Sequence, residues 1–72
     1  MQILFGSQQI ALVERMSRIT SKYPFILVLP GAKLVSEHSS PAEACRALAQ
    51  FFFNTGKEAA IYQKRRGTWV LF

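Results

Sequence analysis

A thiol and an imidazole can make a nucleophile and its general base, and the chain holds one of each, Cys45 and His38. On a helical wheel Cys45 falls among Leu48, Ala49 and Phe52, in the middle of an apolar arc. A cysteine there is expected to be a small core residue with an unactivated thiol. His38 belongs to a polar loop ahead of a helix cap. The chain has no Asp, and no Glu or Asn stands at a spacing that would orient the ring. The carboxylates Glu14, Glu37, Glu43 and Glu58 are scattered, each with a local role: helix ion pair, strand end, capping box, strand start. No pair of them suggests acid–base work or a hard-metal cage. One Cys and one His are too few for a structural zinc site, and the glycines stand singly at turns rather than in a phosphate loop. The sequence predicts no catalytic residues, no metal and no cofactor: not an enzyme.

The second kind of chemistry on offer is electrostatic. Lys64, Arg65 and Arg66 fall together at a turn, with Trp69 just beyond. Such a tip can grip phosphates while an indole stacks on a base. The same residues also suit a solvated turn whose charges keep a sheet edge from pairing, with Trp69 in the core. Arg15, Arg18 and Lys22 recur at i, i+3 and i+7 and give a preceding helix a basic face. Nine Lys and Arg against four Glu leave a net charge of +5. That balance favours nucleic acid, an anionic surface or an acidic partner, without choosing among them.

These residues have to be positioned by a very small fold. The 72 residues make one domain, 1–72, able to bury only about 60% of the surface of its unfolded chain. A single cysteine excludes an internal disulfide, so dense apolar packing or self-association must stabilise it. No apolar run approaches the roughly 20 residues of a membrane span, and MQILFGSQQ lacks the basic start of a signal peptide. A free thiol without an export signal points to the cytoplasm.

Residues 2–5 read as a short strand and residues 8–22 as an amphipathic helix, with Leu12, Val13, Met16, Ile19 and Tyr23 on its core side. FILVL, residues 25–29, is apolar throughout and reads as an interior strand covered on both faces. Pro30-Gly31 has type II turn composition and leads to a return strand over 32–37, with Leu34 and Val35 its apolar pair. Ser40, Pro41 and Glu43 mark a helix start, and Gly56 marks its stop. Residues 58–64 and 68–72 form a last hairpin, for which a type I turn with Gly67 and a bulge is expected in preference to type I′. The order β-α-β-β-α-β-β predicts an α+β two-layer sandwich: two helices on one face of a mostly antiparallel sheet of four to five strands, in a ferredoxin-like split βαβ arrangement.

The helix at 40–56 is the unusual element. Its alanines, Cys45, Leu48 and the run Phe51, Phe52, Phe53 spread over roughly 240° of its circumference, against the 100° or so a surface helix needs. One face lies on the sheet; the rest must be covered by the first helix or by another molecule. The first functional expectation is therefore a non-catalytic protein-binding module, self-associating as a homodimer through this helix, at Phe51, Phe53 and Ala47, or through a sheet edge. The alternative is a small nucleic-acid-binding protein using Lys64, Arg65, Arg66 and Trp69 with the basic helix face of Arg15, Arg18 and Lys22.

Overall fold

β1, Phe25–Leu29, is the strand on which the others are laid. In this computed structural model, which describes residues 14–72, Phe25, Ile26, Leu27 and Val28 are all buried. β2, Lys33–His38, and β3, Ala60–Arg65, flank β1; β4, Thr68–Leu71, lies outside β3. The sheet order is β2-β1-β3-β4 and every pairing is antiparallel. Two helices accompany it: α1, whose described part is residues 14–17, and α2, Pro41–Thr55. The α+β class, the antiparallel four-stranded sheet and the two helices are those expected from the sequence. The strand expected at 2–5 and the start of α1 lie outside the described residues.

The strand order differs from a ferredoxin-like one, which would put residues 33–38 inside the sheet and 25–29 at its edge. Here 25–29 is inside, between β2 and β3. An all-apolar pentapeptide needs cover on both faces, and only an interior strand receives it. Alternation along β1 sends Phe25 and Leu27 to one face and Ile26 and Val28 to the other. Phe25, Leu27, Ala44 and Ile61 form one core cluster beneath α2, joined by Val35, Ala47, Leu48 and Phe51. Met16, Ile26 and Val28 form a second cluster with Ile19, Tyr62 and Trp69. Sheet and α2 make the two-layer body. The α1 end packs on the opposite face and not beside α2, which corrects the expectation that both helices share one face.

α1 was expected to run to Lys22, but its helical residues end at 17. Its last turn tightens into short-range bonds, Arg18 N–H to the Arg15 carbonyl at 3.2 Å and Ile19 N–H to the Met16 carbonyl at 3.0 Å. Released from the helix, the Ile19 carbonyl accepts the indole N–H of Trp69 at 3.0 Å. Tertiary contact has overridden helix periodicity here. Ser21 then donates to the Glu37 carboxylate and accepts the Tyr23 backbone N–H at 3.1 Å, tying the segment to β2.

The remaining joints follow the sequence more closely. Ala32 N–H donates to the Leu29 carbonyl at 3.1 Å, and Gly31 has the positive φ of 87° that a type II turn needs at its third residue. Ser40 Oγ accepts Glu43 N–H at 3.2 Å, Pro41 opens α2, and Gly56 closes it at φ 70°. A register shift opposite Leu27/Val28 leaves Val35 unpaired and turns it toward the α2 side, while Leu34 stays exposed. The β3–β4 turn departs from expectation. Arg65 pairs with Thr68, and the two residues between, Arg66 and Gly67, both have positive φ, 52° and 79°. That is the type I′ pattern, whose twist matches the flanking strands where a bulged type I turn would need a further residue.

Candidate functional site

Three constellations stand out, and they lie on different parts of the sheet. The first is a polar knot at the junction of β2 and α2. Ser36 Oγ is 2.7 Å from His38 Nε2, and His38 Nδ1 is 3.7 Å from Glu43 Oε1. Ser39 Oγ donates to Glu43 Oε2 at 3.0 Å. A hydroxyl, an imidazole and a carboxylate in that order resemble an activated nucleophile. Neither of the cavities described below is lined by Ser36 or His38, and 3.7 Å is too long for an orienting hydrogen bond. The knot pins the entry to α2: Glu43 reaches Ser39 and His38 rather than closing a capping box on the Ser40 backbone. The sequence did not show Glu43 as a partner of His38, because the two meet only once the chain turns into the helix.

The second constellation is the outer flank of α2. Ala44 is fully buried on the sheet, with Ala47, Leu48 and Phe51 partly buried beside it. Phe51 and Ala47, two of the three residues expected at an interface, therefore belong to the core cluster. Phe53, the third, is 89% exposed, and Phe52 beside it 54%. Cys45, expected in the core, is exposed as well. On the wheel Phe52, Cys45, Ala49 and Phe53 make a second apolar stripe beside the one facing the sheet. Between this stripe and Glu58–Ala59 runs a shallow groove of about 370 Å³, lined by Cys45, Leu48, Ala49 and Phe52. α2 contacts β1, β2 and β3 but not β4. Val70 and Phe72 project on this same face, since Val70 pairs with Gln63 opposite Phe25, and the Phe72 ring meets Phe25 edge-on at 5.3 Å. Val70, Leu71 and Phe72 are all exposed. Among the described residues no strand pairs with the outer edge of β4.

The third constellation is a groove of about 830 Å³ on the opposite face, between residues 16–23 and the β3–β4 hairpin. Ile19, Tyr62 and Trp69 form its apolar lining, Tyr23 stands exposed within it, and Lys22 and Lys64 both reach it. The Lys64 ammonium sits 5.7 Å from the centroid of the Trp69 ring, in cation–π range. Of the residues expected to contact nucleic acid, the fold thus brings Lys22, Lys64 and Trp69 together. It directs Arg15 toward the Pro30–Gly31 turn, its guanidinium 3.9 Å from where a Gly31 side chain would start. Arg65 lies on the α2 face, its Nε donating to Gln63 Oε1 at 3.4 Å, and Arg66 occupies the turn. Neither Arg15 nor Arg18 lines the groove. The sequence does not single out the two tyrosines that line the groove: Tyr23 falls on the core face of a helix expected to reach it but ending at residue 17, and Tyr62 reads only as a strand former.

Among the described residues no group of acids, histidines and cysteines is placed to hold a metal ion, and no helix is long and apolar enough to cross a membrane. Every buried side-chain polar atom described has a hydrogen-bond partner. Comparison of the chain with protein-family models, with curated proteins and with solved structures finds no match.

Proposed function

We propose that the chain is a non-catalytic, self-associating protein-binding module, and that its partner at the α2 flank is a second copy of itself. The observation that carries this reading is the second apolar stripe of α2, with Phe53 89% exposed and Phe52 and Cys45 beside it. Burying a phenylalanine side chain stabilises by about 1.5–3 kcal/mol, so a doublet left in water is a strong source of association energy.

Charge supports a like partner. Residues 41–58 carry Arg46 and Lys57 against Glu43 and Glu58, so this surface is neutral within a chain of net charge +5. Two copies can meet here without opposing their basic residues. β4 supports it too: among the described residues it is an edge, and it carries no charge and no proline, two of the devices that discourage pairing between chains. The exposed thiol suits a reducing compartment such as the cytoplasm.

Light scattering or sedimentation at high micromolar concentration tests the reading. The wild-type chain is expected at twice its 8.1 kDa monomer mass. Phe52→Ser with Phe53→Ser should return it to monomer with native circular dichroism and an unfolding midpoint that no longer rises with concentration, because neither side chain belongs to the core cluster. A wild-type chain that stays monomeric throughout would sink the proposal.

A further inference from the structure

The whole net charge of the chain comes from two segments. Residues 14–22 contribute two of the five positive charges and residues 64–66 the other three; the rest balances. These segments are far apart in sequence, and the hydrogen bond from the Trp69 indole to the Ile19 carbonyl brings one cation of each, Lys22 and Lys64, to one groove, which Arg15, Arg18, Arg65 and Arg66 do not line. The groove lies at that joint. Its volume, about 830 Å³, falls within the range of small-ligand sites. It differs from an ordinary apolar crevice in having aromatic rings and two lysines in the same lining, which also holds the Glu37 carboxylate, engaged by the Ser21 hydroxyl.

We propose that this groove binds a nucleotide unit of a single-stranded nucleic acid, with the base against Tyr23 and the phosphates on Lys22 and Lys64. Tyr23 is the stacking surface because Trp69 is already engaged: its N–H is bonded to Ile19, its ring lies under Lys64, and its body is packed in the core cluster. Tyr23 is 46% exposed, and Ser21 Oγ holds its backbone N–H at the rim of the groove. Stacking on an aromatic accepts any base, and the lysines are flexible point charges, so the expected binding has little sequence preference. Bases inside a duplex are already stacked and cannot reach Tyr23, which makes single strands the preferred form. The site is on the face opposite the proposed dimer contact and stands or falls separately from it.

The test is fluorescence anisotropy with labelled single-stranded oligonucleotides of about 12 residues, a matching duplex, and unlabelled mononucleotide as competitor, in about 50 mM salt. Single strands should bind more tightly than duplex. Tyr23→Ala should weaken binding about fivefold or more, and Lys22→Gln with Lys64→Gln about tenfold or more. Arg46→Gln, on the other face, should change it less than about twofold. Mononucleotide competing as strongly as the unlabelled strand would assign the site to the free nucleotide and overturn the single-strand proposal; much weaker competition supports it. It is overturned by no binding at low salt, by duplex binding as tightly as single strand, or by wild-type affinity in both the Tyr23 and the double-lysine variants. The substituted side chains are exposed or line the open groove, and near-ultraviolet circular dichroism of Trp69 confirms folding in each.

Discussion

The two faces of the sheet are covered in different ways. Under α2 the cover is a regular helix, capped at both ends, whose small Ala44 lets it sit close on Phe25, Leu27 and Ile61. On the other face the described cover is one helical turn followed by an irregular segment, held by the Trp69–Ile19 and Ser21–Glu37 hydrogen bonds and by Met16 and Ile19. The regular cover leaves an apolar flank of zero net charge in water. The irregular one leaves a groove, aromatic and basic. A regular helix carries side chains all round, so an over-apolar sequence has to display the surplus. An irregular segment can lay several side chains toward the sheet and leave space between them. That difference is the ground on which the α2 flank is proposed as a protein contact and the groove as a nucleotide site.

The sharpest way to break this comparison is to remove one side chain of β1 from each face. Ile26→Ala and Leu27→Ala should each cost about 2–5 kcal/mol in denaturant unfolding, because both residues are almost completely buried. Equal losses mean that the irregular cover seals its face as well as the helix does. A loss below about 1 kcal/mol for Ile26→Ala alone would show that the second face is open to solvent and that the groove has no firm wall.

Salt is the next lever, and it should act oppositely on the two surfaces. Raising it from about 50 to about 500 mM should lower oligonucleotide affinity by tenfold or more. The same change should leave the monomer–dimer equilibrium unmoved or slightly favour the dimer, since an apolar contact of zero net charge has no like-charge excess to screen. Parallel weakening of both would mean that a single charged surface does both jobs. A smaller effect is expected from Trp69→Phe, which removes the indole N–H and leaves the Ile19 carbonyl to solvent. A loss of about 0.5–1.5 kcal/mol is expected, read as a shift in urea midpoint.

How much of this was legible in the sequence depended on whether the signal was local. The limits of α2 were, because Ser40, Pro41 and Gly56 act on their own backbone neighbours. The interior position of 25–29 was too, since five apolar residues in a row have one economical place in a sheet. The strand order was not: a ferredoxin-like order and the observed one use the same elements, and only the demand of FILVL for two covered faces separates them. At the α2 flank the wheel gave the width of the apolar arc but not its origin. A shift of the sheet-facing direction toward Ala44 and Ala47 moved Phe51 into the core and Cys45 and Phe52 out of it. The groove was hidden because Tyr23 and Lys22 sit where a long-range hydrogen bond, Trp69 to Ile19, replaces helix with irregular chain.

The β3–β4 turn offers the finest discrimination. Arg66 holds φ 52° in a two-residue turn, a conformation that a side-chain-bearing residue adopts at some cost and that Asn adopts most readily. Arg66→Asn should therefore stabilise the fold by a few tenths to about 1 kcal/mol, visible as a rise in thermal midpoint. The same substitution removes one of the three charges of the tip while leaving Lys64 on Trp69. If the phosphate contacts belong to the groove, oligonucleotide affinity should fall less than about threefold, from the loss of one charge outside its lining. A fall as large as that from the double-lysine variant, in a more stable protein, would move the binding surface from the groove to the turn. The face opposite α2 would then hold a packed core with a charged corner and no ligand site.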